Sequence, residues 1–294
     1  MFNILRTSLR TGRVTGSYPQ EPEAGACRGR PQIDPSLCDC SAECLKVCPS
    51  NAITMSPGES HTLHWRLDLA RCIFCGLCEE VCPNGAISMT NDFELASRTR
   101  DDLIVSVIHR TGADRGKSKS VASGVVDDAT LSSKSSDHAV DSARVSDRIR
   151  SLLKRSLHIR HMAAGSDNSV DWEISALLNP VYDVQRLGID FVASPRHADL
   201  LLVTGAVTRH LEPALFATYE AMPAPRLVVA AGDEACGGGV LQGSYAVAGG
   251  VDRCLPVDVY IPGDPPRPQA LIYGLLVVLD RLEPKMRRTE LIAQ

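Results

Sequence analysis

Cys72-Ile73-Phe74-Cys75-Gly76-Leu77-Cys78-Glu79-Glu80-Val81-Cys82-Pro83 decides how the first third of this chain is read. The spacing Cys-x2-Cys-x2-Cys-x3-Cys-Pro lets three close thiolates wrap one iron–sulfur cubane while the fourth reaches a second. A second run lies upstream: Cys38, Cys40, Cys44 and Cys48, followed by Pro49. A zinc ribbon also uses Cys-x2-Cys pairs, but it requires neither a third Cys in register nor a Cys-Pro ending. Two such runs in tandem predict a module that carries electrons on two clusters.

The surrounding residues repeat as well. Cys-Pro-x-x-Ala-Ile occurs at Cys48–Ile53 and again at Cys82–Ile87. Each is followed by a short strand-like stretch, Ala52–Met55 and Ala86–Met89, and the two read as a pair. Between them, His61–Leu69 reads as an inserted hairpin. Residues 26–98 are thus expected to form an α+β ferredoxin domain with two [4Fe-4S] clusters. In residues 1–25, Phe2, Ile4, Leu5 and Leu9 gather at helical spacing among Arg6, Arg10 and Arg13. This is the pattern of an amphipathic docking helix or of a frayed terminus, followed by an extended arm. Residues 99–148 are rich in Ser, Asp, Ala and Gly with little periodic apolar content, and read as a flexible linker.

Composition narrows the possibilities. The chain has 294 residues and a net charge of -4, enough length for two cores and no sign of a nucleic-acid or polybasic membrane surface. Of 11 cysteines, eight fall in the two runs, which argues against a secreted disulfide framework. The first twelve residues show no signal-peptide pattern, and the longest apolar stretch, Leu271–Leu279, is about half of what a bilayer requires.

The second half reads as α/β. Ala198–Gly205, Arg226–Gly232 and Val257–Gly263 are apolar runs that end in glycine, as buried parallel strands do. Glu212–Ala221 and Arg267–Leu282 read as helices between and after them. A mostly parallel sheet places its sites at the strand carboxyl ends, here Gly205, Gly232–Cys236 and Gly263-Asp264. Gly232-x4-Gly237 is not a phosphate loop, since no Gly-Lys-Ser/Thr follows. Gly249-Gly250 reads as a tight turn.

Several stretches resemble subunits of formate hydrogenlyase-type [NiFe] membrane hydrogenases, which are related to respiratory complex I. Leu5-Arg6 through Arg10-Thr11-Gly12, Tyr18-Pro19 and the 71–83 run resemble their two-cluster ferredoxin subunit. Ser156–His161, Ala176–Pro180, Ala193–Asp199, Gly243–Val247, Val257–Gly263 and Pro265–Pro268 resemble their small electron-transfer subunit. The resemblance implies an electron-transfer chain in residues 149–294 joined to the ferredoxin domain. It also implies a large catalytic subunit and membrane-arm subunits as partners, and a peripheral place on the inner face of the cytoplasmic membrane.

The departures carry equal weight. The small subunit of that family holds a [4Fe-4S] cluster on four cysteines, and the matching positions here are Asp167, Val170, Glu234 and Asp264. No cluster is expected there, because such clusters need soft thiolates. The vacated site is expected to open to solvent, to form ion pairs with Arg196 or Arg267, or to take a hard divalent cation. Cys236 could offer one sulfur at most; Cys254 reads as a small hydrophobe, and Cys27 has no partner in a motif. In the first cysteine run Ser41 stands where a ligand is due. Either Cys40 bends in, or that cluster is labile or holds three irons; the reading favours Cys40. The crossed pattern then gives Cys38, Cys40, Cys44 and Cys82 to one cluster and Cys48, Cys72, Cys75 and Cys78 to the other. His158, His161 and His197 read as structural hydrogen-bonding residues, and Trp172 as an interface residue. No catalytic residue is identified: the expected role is relay, with a structural scaffold as the alternative.

Overall fold

The computed structural model describes residues 6–7, 10–12, 14–16, 18, 28–58, 62–110, 142–165 and 167–292. Most of the expected N-terminal helix and arm, Cys27 and residues 111–141 lie outside the described residues. The first module runs β1 (Pro31–Ile33), α1 (Glu43–Val47), β2 (Ile53–Pro57), β3 (Thr62–Asp68), α2 (Leu77–Glu80), β4 (Ile87–Met89) and β5 (Ile104–Arg110). The second runs α3 (Ser142–Leu153), β6 (Leu157–Ala163), α4 (Ser169–Ala176), β7 (Ile189–Phe191), β8 (Leu200–Thr204), β9 (Val207–Thr208), α5 (Glu212–Glu220), β10 (Leu227–Ala231), α6 (Asp233–Gly237), β11 (Val247–Gly249), β12 (Val259–Ile261) and α7 (Pro268–Ile292).

The two strands expected to pair with each other do not. β4 pairs antiparallel with β1, Ile87 opposite Ile33, while β2 pairs with β3, Ile53 opposite Leu67. The inserted stretch does form a hairpin with β2, and β5 then closes it into a three-stranded sheet in the order β2-β3-β5. Residues 104–110, assigned by composition to the linker, are therefore a strand of the first module, and residues 142–148 begin helix α3. The run Ile104-Val105-Ser106-Val107 is rich in β-branched residues, which a pleated, half-buried surface favours. Trp65, Leu67 and Leu103 are fully buried beneath this sheet. Each such side chain contributes about 1.5–3 kcal/mol of burial.

The second module is a five-stranded parallel sheet, ordered β12-β10-β8-β6-β7. β8 (LLLVT) and β10 (LVVAA) are buried along their whole length, as central strands covered on both faces must be. β6 alternates instead: Leu157 and Ile159 are fully buried while His158 and Arg160 are half-exposed. The chain leaves β6 for β7 on one side and returns to β8 on the other. This reversal opens a crevice at the carboxyl ends of β6 and β8.

The modules share one core. Cys72, Phe74 and Leu95 pack in the same buried cluster as Ala235, Cys236 and Tyr260. Ser97 bridges Tyr260 through two backbone hydrogen bonds of 2.9 and 2.8 Å. At the seam, a Cβ on Gly237 would sit 2.5 Å from the carbonyl of Ala70, so only glycine admits this approach. Arg100 clamps Asp68 with two side-chain hydrogen bonds, and the Asp68 carbonyl accepts from the amides of Arg71 and Cys72. The turn that launches the 72–82 run is thereby anchored beside the second module.

Candidate iron–sulfur sites

The eight cysteines of the two runs gather in two crossed sets. Burial pushes the Cys72 thiol up; the Phe74 amide, which donates to its Sγ at 3.4 Å, opposes this, and the neighbouring thiols of Cys78, Cys48 and Cys75 add to it. Burial, then Cys75 and Cys48, push Cys78 up to about 12. Cys44 is raised by burial, with the Trp65 indole opposing and Cys38 and Cys82 adding to the rise. Cys48 is therefore a neighbour of Cys72 and Cys78, and Cys82 of Cys44. Two further amides reach sulfur at the Cys-Pro ends, Ala52 to Cys48 at 3.3 Å and Ala86 to Cys82 at 3.2 Å.

These residues fit iron–sulfur clusters. The donors are soft thiolates in two sets, held where burial and mutual repulsion oppose ionisation unless a cation binds. Two buried donors that face the first run close no well-formed hydrogen bond within the protein, Trp65 Nε1 and His109 Nε2. Trp65 lies against Cys44. One ring nitrogen of His109 and the sulfurs of Cys38 and Cys40 all lie within 4.8 Å of one another. His109 was hidden in the stretch read as linker; the alternation of Val105, Val107 and His109 on one face of β5 is the signal that could have found it.

Cys40 lies in this group with Cys38 and His109. It takes a left-handed φ of 61°, and Phe74, its counterpart in the second run, takes 51°. Ser41, the counterpart of Cys75, is exposed, and its amide donates to Asp39 Oδ1 at 3.0 Å. The thiol stands one position earlier than in the second run, on a backbone with the same left-handed φ at that position.

The second candidate site lies where the small-subunit cluster was expected to be lost. Val170, in the first turn of α4, is 4% exposed, and a Cβ on Gly232 would come within 2.8 Å of its Cγ2. Asp167 and Asp264 are exposed, and Glu234 is half-buried between them. Burial raises Glu234, and Asp167 and Asp264 raise it further; Asp264 is raised by burial and then by Asp167. Below them Asp233 is pushed up to about 8, first by burial and then by Asp264 and Glu234. Its ionised form is disfavoured in the fold, so the destabilisation is absent below about pH 4, grows as pH rises and is complete above about pH 8. Among the described residues, Cys38, Cys40 and His109 are the one trio of such side chains close enough to share an ion, so the three carboxylates do not close around one. Arg267 stacks on Phe93 at 4.8 Å, and its Nε donates to Gln269. Cys236 is fully buried and donates to the Ala230 carbonyl at 3.3 Å, turned into the core. Cys254 follows a short turn rather than lying in a strand, and its Sγ donates to Glu212 at 3.9 Å.

Deeper in the crevice, His161 Nε2 lies 3.0 Å from Thr204 Oγ1 and 3.1 Å from Asp171 Oδ1, and Thr204 donates to the same oxygen at 2.7 Å. His158 Nδ1 lies 3.1 Å from the His197 carbonyl. His161 thus ties β6 to the end of β8, and His158 ties β6 to the turn that precedes β8. Trp172 is 75% exposed on α4, beside the crevice.

A thiol-rich two-site ferredoxin module packed on a parallel α/β domain defines an iron–sulfur protein of the complex I type. Residues 26–86 match the family described as "4Fe-4S dicluster domain", and residues 168–278 match "NADH ubiquinone oxidoreductase, 20 Kd subunit". The chain belongs to the latter family and carries a ferredoxin domain in front of it. It is 44% identical over 142 residues to the probable membrane-bound hydrogenase subunit mbhJ of Pyrococcus furiosus, covering 47% of this chain and 85% of that protein. It is 44% identical over 136 residues to formate hydrogenlyase subunit 7 of Escherichia coli, covering 46% of this chain and 52% of the relative, so it spans about half of that protein. With an NADH-quinone oxidoreductase subunit of Citrifermentans bemidjiense it shares 52% identity over 101 residues, 34% of this chain and 59% of the other. A solved structure of the archaeal membrane-bound sulfane sulfur reductase aligns over 45% of this chain and 72% of its own, with 36% identity and a TM-score of 0.40. No helix among the described residues is long and apolar enough to cross a membrane.

Proposed function

We propose that this chain is an electron-transfer subunit of a membrane-associated, complex I-like or hydrogenase-like complex. The crossed gathering of the eight thiols carries this reading. Cys38, Cys40, Cys44 and Cys82 hold the first [4Fe-4S] cluster, and Cys48, Cys72, Cys75 and Cys78 hold the second. When bound, the clusters supply one-electron transfer. The chain's own residues set backbone N–H groups against the sulfurs of Cys48, Cys72 and Cys82. The second module, with Asp167, Val170, Glu234 and Asp264 at its cluster positions, carries no cluster. It docks a large catalytic subunit and the membrane arm, and keeps the chain on the inner face of the cytoplasmic membrane.

The test is iron and acid-labile sulfide content on anaerobically purified protein, together with reduced-state EPR. About eight irons with two interacting cubane signals are expected. About twelve would mean a third cluster on other ligands, and fewer than four would sink the relay. The packing of Val170 against Gly232 favours a second reading of the α/β domain, as a scaffold without a redox role. A partner large subunit that lacks nickel-binding cysteines would support that reading.

A further inference from the structure

Strands β3 and β5, which pair beside β2, are the part of the first module that the internal repeat does not account for. Their inner face is set by register: Leu63, Trp65 and Leu67 of β3 stand opposite His109, Val107 and Val105 of β5. On a pleated sheet these six share one face. Two of them carry a ring N–H, and both are buried, Trp65 at 1% and His109 at 4% exposure. Trp65 Nε1 and His109 Nε2 close no well-formed hydrogen bond in the protein, the Trp65 indole facing the Cys44 thiol, although buried donors are nearly always paired. Both side chains face the first cysteine run, Trp65 at Cys44 and His109 at Cys38 and Cys40.

We propose that β3 and β5 lay these two side-chain N–H groups on the thiolates of the first cluster, making His109 the positioning and tuning residue for Cys38 and Cys40. The inference rests on the reading that the first run holds iron. A neutral imidazole has one N–H to give, and a cluster thiolate is a charged acceptor, so the contact pairs the buried donor and fixes the ring tautomer. Such a bond strengthens when the cluster gains an electron and more negative charge, which raises its reduction potential. Among the described residues, the second run has backbone amides against its sulfurs but no matching pair of ring donors. The first cluster is therefore the more readily reduced of the two, and its tuning comes from a strand outside the cysteine repeat.

The experiment is a redox titration of the full chain followed by EPR, with His109→Leu, His109→Gln and Trp65→Phe. His109→Leu should lower the midpoint of one cluster only, by a tenfold shift in its reduction equilibrium, or about 59 mV for one electron. His109→Gln, which keeps an N–H, should recover most of it. Trp65→Phe should move the same cluster in the same direction, and decides the matter if the histidine variants lose iron. Selective ¹⁵N-histidine labelling should give a weak coupling to that cluster. A full iron complement with unmoved midpoints overturns this inference alone. The strong coupling of a direct iron–nitrogen bond overturns it too, since His109 would then be a ligand. Wild-type protein with about four irons and no first-cluster signal overturns this inference together with its premise that the first run holds iron, and fewer than four irons overturns the relay reading as well.

Discussion

The two cysteine runs share a backbone and differ in what hangs from it. Cys40 and Phe74 both lie at left-handed φ, 61° and 51°, and two residues later so do Ala42 and Gly76, at 62° and 83°. In the second run the residue between them is Cys75, and Phe74 is buried as packing. In the first that middle residue is the exposed Ser41, and the thiol occupies the packing position. Geometry outlasts the identity of the residues that first required it.

This comparison can be broken by iron content, where the largest effect is expected. Cys72→Ala should remove the second cluster, about four irons, and its EPR signal, because Cys72 is buried in the core that both modules share. Cys40→Ala should spare the second cluster and disturb only the first. Equal loss of both clusters from either variant would mean that the runs are not independent. A subtler change is Ser41→Cys, which puts a thiol on the corner equivalent to Cys75. Iron should stay near eight, and release of the first cluster to a chelator should slow several-fold. The double variant Ser41→Cys/Cys40→Ala should behave the same way; if it loses the first cluster, Cys40 is indispensable where it stands. The smallest effect is on the backbone. Ala42→Gly should stabilise the protein by about 1 kcal/mol, by relieving a left-handed alanine. Gly76→Ala should cost a similar amount, since its Cβ would meet nothing closer than Met89 at 3.9 Å. Denaturant midpoints moving the same way in both would contradict the shared geometry.

Legibility followed the range of the signals. The cysteine spacings are local, and by themselves they disclose two sets of thiols and their crossing. The long apolar runs of β8 and β10 disclose a parallel sheet for the same reason. β6 is hard to read because Arg160 and His161 interrupt its apolar residues, and β7 is three residues long. β5 is lost in the composition of its surroundings. Its partner β3 lies some forty residues earlier, and only that pairing turns Val105, Val107 and His109 into one face. The pairing of β1 with β4 escapes notice because the repeat invites a pairing of its two halves. At the carboxylate corner, sequence supplies the absent thiols, and structure supplies Asp233, which no motif marks.

The shared core has a consequence for how such a chain arises. The Ser97–Tyr260 bridge, the Gly237–Ala70 approach and the Arg98–Asp280 ion pair of 2.6 Å already join the modules. Two separate polypeptides, one ending at Arg110 and one beginning at Ser142, should find the same register through these contacts.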